Sequence, residues 1–107
     1  MSDERRLMEM AAKAAGYRVT DVRAISARDI VLLNDAGGHD VWNPLTDDGD
    51  AFRLAVKLRL DIEFLNRGGE VVFVGGVFSE LLDSHDPLSA TRRAVVRVAA
   101  AIGEAMP

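Results

Sequence analysis

The sequence contains no cysteine. Disulfides, thiolate metal ligands and cysteine nucleophiles are thereby excluded together, and a reducing, cytoplasmic setting suits such a chain. Long hydrophobic runs are also missing. No segment approaches the ~20 apolar residues that cross a bilayer. The N-terminus, MSDERRLMEM, holds acids and arginines where a signal peptide needs an apolar stretch. A protein that is neither exported nor membrane-bound is the expectation. An excess of one charge is lacking too: 13 basic residues face 17 acidic ones, for a formal charge of −4. That is too mild for a mimic of nucleic acid and of the wrong sign for a general binder of phosphate backbones, so no nucleic acid polymer is expected as a partner. An anionic ligand would have to be met by a local group of arginines.

What is present suits one folded unit. The 107 residues, 49% apolar and 28% charged, match a single domain spanning 1–107 with one core. Asp3 to Ala15 reads as a helix, with Ser2 able to cap it, acids in its first turn and Gly16 at its end. Leu7, Met10, Ala11 and Ala14 share one face; Arg5, Glu9 and Lys13 form an alternating-sign row on the other. Tyr17 to Asn34 turns to strand preference, NDAGGHD is a turn or loop, and Val41-Trp42 is a further strand-like pair before Pro44.

Thr46 to Leu60 is the second expected helix, with Ala51, Leu54, Ala55 and Leu58 on one face. Phe52 and Val56 widen that face, so that most of the circumference should be covered. DIEFL and EVVFVGG form a hairpin around NRGG. VFSELLDSHD fits either an edge strand or a loop. Asp86 then caps a last helix with Pro87 in its first position. Its apolar face is Ala94, Val95, Val98, Ala101 and Ile102, and on another side Val96, Ala100 and Gly103 would admit a second helix closely. The segments NPLTDDGDAFRLAV and DPLSATRRAVVRVA echo one another. They suggest two strand-strand-helix units behind a leading helix, giving the order α-β-β-α-β-β-α: an α+β fold, an α/β/α sandwich on a largely antiparallel sheet.

Few motifs carry chemistry. Asp47, Asp48 and Asp50 could hold a hard cation such as Mg²⁺, but their spacing is not that of a calcium-binding loop. A helix start accounts for all three, with Thr46 or Asp47 as the cap and the other acids at the positive end of the dipole. His39 and His85 each neighbour an aspartate, a pairing able to orient a general base. No serine or cysteine nucleophile pattern and no third ligand accompanies them. Gly37-Gly38, Gly68-Gly69 and Gly75-Gly76 belong to no phosphate or dinucleotide fingerprint; the first two suit turns and the third a bulge or bend. No cofactor is expected. Arg92 and Arg93 stand in the first turns of a helix, where cations oppose the dipole, so something should compensate them. Either they form salt bridges to acids such as the Asp47–Asp50 group, or one binds a carboxylate or phosphate in a fork. Trp42 suits a core position, or a platform for a base.

The segments WNPLTDDGDAFRLAVKLRL and DPLSATRRAVVRVAAAIG resemble those of small bacteriophage and prophage proteins of the phage ABA-sandwich type, with a more distant similarity to NinX-like phage proteins. The resemblance covers roughly the C-terminal two thirds of the chain. It implies an α-β-α sandwich working in the cytoplasm of an infected bacterium, and it carries over no catalytic residues. Small phage proteins of this kind include ones that neutralise host immunity.

These readings lead to a non-enzymatic protein that counteracts host antiviral defence by sequestering a nucleotide-derived immune signal. Trp42, Asn43, Asp47, Asp48, Arg92 and Arg93 would line the site of this nucleotide-like ligand. A homo-oligomer formed through the C-terminal helix is expected. The alternative is a protein-interaction module acting on a host or phage protein through an apolar face around Val96, Ala100 and Gly103. A metal-assisted hydrolase using the three aspartates and a histidine comes third.

Overall fold

The structure, a computed structural model, describes residues 3–20, 29–65, 71–75, 78–81 and 86–107. Three helices and six strands occur among them. The leading helix α1 (Asp3–Ala15) ends as its glycine suggests: Gly16 is left-handed at φ 77°, and the Tyr17 and Gly16 amides return to the carbonyls of Ala12 and Lys13. Strands β1 (Arg18–Val19), β2 (Ile30–Leu33) and β3 (His39–Trp42) form one antiparallel sheet. Helix α2 (Asp48–Leu58) follows. Strands β4 (Ile62–Leu65), β5 (Val71–Val74) and β6 (Phe78–Leu81) form a second antiparallel sheet, and α3 (Pro87–Ala105) closes the chain.

The α+β class, the three helices and the antiparallel pairing are as expected. Each repeat unit gains one strand: the Val41-Trp42 pair extends back to His39, and the ambiguous VFSELLDSHD segment supplies β6. The strands divide into two sheets of three, with α1 beside the first and α3 against the second. Ser2, Gly68, Gly69, Gly76 and His85, together with residues 21–28 of the first strand region, lie outside the described residues.

One cluster of buried side chains runs through both sheets and all three helices. It includes Met8, Ile30, Leu32, Trp42, Leu54, Val72, Val74, Val96 and Val98. The buried stripe of α1 is Met8, Ala11, Ala12 and Ala15, turned by about 100° from the expected one, with which it shares only Ala11. Arg5 meets Glu9 at 3.1 Å on a half-buried side rather than the fully solvated one expected. Helix α3 is the centre of the molecule, packed on α1, α2, β5 and β6. Its small-residue side receives α1: a Cβ built on Gly103 would stand 1.9 Å from the Met10 carbonyl oxygen, so no side chain fits there. The face expected to meet another protein, Val96, Ala100 and Gly103, is therefore buried within the chain. Ala101 and Ile102, expected in the core, are exposed instead.

Helix α2 departs from expectation on one side. Ala51, Leu54 and Ala55 are buried, but Phe52 and Val56 stay 68% and 58% exposed. They lie about 100° around the helix from the buried stripe. The partners of α2 among the described elements, α1 and α3, occupy the other side.

Candidate functional site

The site is built around the turn joining β3 to α2. Asn43 is buried, with 6% of its surface exposed, directly before fully buried Pro44. Its Oδ1 accepts hydrogen bonds from the Leu45 amide (3.0 Å) and the Thr46 amide (3.2 Å), a side-chain imitation of a backbone turn. Its Nδ2 donates to Asp29 Oδ1 at 2.9 Å, and its own amide donates to Asp50 Oδ2 at 3.0 Å. The backbone of the turn closes on the same residue, whose carbonyl accepts from Thr46 and Asp47. Asn43 is therefore a structural hub, engaged through both the oxygen and the nitrogen of its side-chain amide.

The aspartates have separate tasks. Asp47 caps α2, its carboxylate accepting the Asp50 amide at 2.7 Å; of the two expected caps, it is the one used. Asp48 faces Arg92, with Nη1 and Oδ1 2.5 Å apart. Asp50 holds the Asn43 amide with one oxygen and Arg53 with the other, at 2.9 Å. Among the described residues, no group of three histidine, aspartate or glutamate side chains converges as a metal site. His39 is exposed at the start of β3.

The two helix starts do lie side by side, and Arg92 joins them. Its Nε donates to the Leu45 carbonyl at 2.8 Å while its Nη1 reaches Asp48, so one planar guanidinium ties α3 to both the turn and the first turn of α2. Of the compensations open to Arg92, the salt bridge is the one formed. Arg93 differs. Its Nη1 donates to Ser89 Oγ at 2.9 Å, one turn back, and no carboxylate among the described residues comes within bridging distance.

Two concavities flank this turn. The smaller, of about 210 Å³, gathers Asn43, Thr46, Ser89, Arg92 and Arg93, with Glu4 and Met8 from α1 at its edge. The larger, of about 480 Å³, lies over β2 and β3 and contains Tyr17, Trp42, Asn34, Asp40, Asp50 and Arg53. Tyr17 meets the buried Trp42 edge to face, with ring centroids 5.6 Å apart. Burial raises the pKa of the Tyr17 hydroxyl above its ordinary 10.0, partly opposed by the charge of Arg53. The Asp50 carboxylate in turn holds Arg53 in its charged form.

The structure thus brings Asn43, Arg92 and Arg93 together, sets Asp47 and Asp48 on the outer side of the same turn, and places Trp42 in the other concavity. Sequence reasoning did not single out Ser89 or Thr46 as lining residues, or Asp29 and Tyr17 at all. Tyr17 carried a signal as the first residue beyond a glycine-terminated helix. Nothing in local spacing connects Asp29 to Asn43.

No protein-family model, curated protein or solved structure matches the chain. The site's chemistry must be read from its own geometry. Its groups hold and donate. In the small cleft the Ser89 hydroxyl accepts a hydrogen bond from the Arg93 guanidinium.

Proposed function

We propose that the protein is a non-enzymatic binding protein that captures a small phosphorylated ligand of the nucleotide class. The observation that carries this reading is Arg93: a half-buried guanidinium opening on a polar cleft, with a hydroxyl as its one described hydrogen-bond partner. An arginine has five donors in a fixed fork that suits phosphate oxygens. Ser89 and Thr46 add hydroxyls, and Arg92, fixed by Leu45 and Asp48, adds a positioned charge. The Asp86 carboxylate already caps α3, accepting the Ser89 amide at 3.0 Å, so side chains rather than the helix end would meet the anion.

The volume of about 210 Å³ suits a phosphate with part of a sugar and is below the ~300 Å³ at which pockets for whole drug-sized molecules begin. The base would lie outside the cleft. With the resemblance to phage ABA-sandwich proteins, the biological reading is withdrawal of a nucleotide-derived immune signal in the cytoplasm of an infected bacterium. Among the described residues no helix is long and apolar enough to cross a membrane, which accords with this setting.

The test is a panel of cyclic and linear nucleotides, read by thermal shift and by recovery of the ligand after heat denaturation. Capture with intact recovery is expected, together with loss of the shift in Arg93→Gln, whose fold should be preserved because Arg93 has one neutral partner. Conversion of a nucleotide would make the protein an enzyme. No response to any member, or an unchanged shift in Arg93→Gln, would overturn the reading.

A further inference from the structure

A second surface, distinct from the polar cleft, remains unexplained. A groove of about 380 Å³ runs between α2, the first turns of α3 and β4, walled by Phe52, Ile62, Phe64, Leu88 and Val95. Its origin is in the sheet. Ile62 pairs with Val74 and Phe64 with Val72, so all four share one face. Val72 and Val74 are completely buried, whereas Ile62 and Phe64, on the end strand, are 37% and 60% exposed. The edge strand extends past the helix that covers its neighbours. Leu88 is 60% exposed at the start of α3, and Phe52 stands 68% exposed on α2.

We infer that this groove is the interface through which two copies of the chain associate. Three observations select a second copy as the occupant. The first is area: Phe52, Ile62, Phe64 and Leu88 of the groove, with exposed Val56 one turn along α2 from Phe52 and outside the groove's walls, together expose roughly 500 Å², at the upper end for the largest apolar patch of a typical monomer. Two such patches face to face bury about 1,000 Å², the threshold of a specific interface. The second is charge: the two charged residues among the groove's described lining, Asp48 and Arg92, are paired with each other, so these residues of two copies meet without like-charge repulsion and favour no strongly charged partner. The third is shape. Phe52 projects beside a recess walled by Ile62, Phe64, Leu88 and Val95, so a two-fold axis lets each Phe52 enter the recess of the other copy, while the end strand β4 is covered.

The dimer would therefore use the first turns of the C-terminal helix, through Leu88 and Val95, and not its Val96–Gly103 side. It does not depend on the ligand reading, since the small cleft lies on the other side of Arg92.

Sedimentation velocity of the full chain from about 1 to about 100 µM decides the matter, because an interface near the lower size limit should dissociate within that range. A concentration-dependent monomer–dimer equilibrium is expected. Phe52→Asp and Leu88→Asp should each weaken it at least about ten-fold while circular dichroism stays unchanged; both residues are exposed, and an acid at Leu88 suits the first helical turn. Ile102→Asp, at the far end of α3, should leave the equilibrium as it is. A wild-type monomer over the whole range would overturn the inference, as would a dimer that survives both groove substitutions. A monomer that gains mass only with a different protein would replace the second copy by another occupant and overturn it equally.

Discussion

If Asn43 is the hub of the β3–α2 turn, its replacement should cost far more than a surface substitution. Asn43→Ala removes the three side-chain hydrogen bonds formed with described residues: Nδ2 to Asp29, and the amides of Leu45 and Thr46 to Oδ1. Neutral hydrogen bonds contribute about 1 kcal/mol each, and one to a carboxylate about 1.5–3 kcal/mol. The Thr46 amide keeps the Asn43 carbonyl at 3.2 Å, which recovers part of one. The net expected loss is about 3 kcal/mol, a large share of a typical 5–15 kcal/mol. For a chain of this size it should lower Tm by roughly 10–20 °C.

Urea unfolding followed by the fluorescence of the single tryptophan, buried beside the turn, measures the loss; circular dichroism as a second probe checks two-state behaviour. Asn43→Asp makes the experiment more exacting. It preserves the acceptor for Leu45 and Thr46 but sets two carboxylates at the separation where Nδ2 now meets Asp29, 2.9 Å. Like charges at that distance raise a carboxyl pKa in the folded state. The variant's stability deficit against the wild type should therefore be smallest at acid pH and grow as pH rises through the raised value. A loss below about 1 kcal/mol in Asn43→Ala, or an Asn43→Asp variant whose pH dependence matches the wild type, would refute the hub.

Three further predictions test other parts of the fold. Gly103→Ala should lose about 2 kcal/mol in urea unfolding despite alanine's advantage of about 1 kcal/mol within a helix, because overpacking against the Met10 backbone outweighs it; a gain would mean that α1 and α3 are not in close contact. Arg59 ends α2 in a left-handed conformation at φ 54°, so Arg59→Gly should stabilise the protein by about 0.5–1 kcal/mol, and a loss would contradict that conformation. Tyr17 is the sole tyrosine, so tyrosinate absorbance reports it alone: its midpoint should exceed 10.0 and rise again in Arg53→Met, which removes an opposing charge. The associated stability is present below the unfolded value and lost as pH rises through the folded one.

Local chemistry made the helices legible. Gly16 stopped α1 where its carbonyls needed a left-handed residue, and Asp86-Pro87 began α3 with both a cap and a residue that lacks the amide no helix start can satisfy. The end of α2 was misjudged because Arg59 holds a position usually given to glycine, and a side chain there leaves no mark in periodicity. Phe52 and Val56 were assigned to the core on apolarity alone. Whether an apolar residue is covered depends on which neighbour reaches it, and here Phe52 and the edge strand β4 leave an open groove between them. The site was half legible for the same reason. Arginines at a helix start announce a missing counter-charge, which proved to be Asp48, but which of the pair stays without one depends on the distance between two elements.

The echo between the helix starts shows how far identical chemistry can diverge. In DPLS, Asp86 is itself the N-cap, its carboxylate accepting the Ser89 amide three residues on, and Pro87 is the first helical residue. In NPLT, Asn43 uses its side chain in the same direction, towards the amides of Leu45 and Thr46, yet the helix waits until Asp48. A second cap at Asp47 competes for the start in the first copy, and a second anchor for Asn43 exists in Asp29 and Asp50. The four-residue delay lengthens the first turn enough for the Leu45 carbonyl to face outward and receive Arg92. The basic start of α3 is thus fastened by the delayed start of α2, and Arg93, one residue further round the helix, is left facing the cleft.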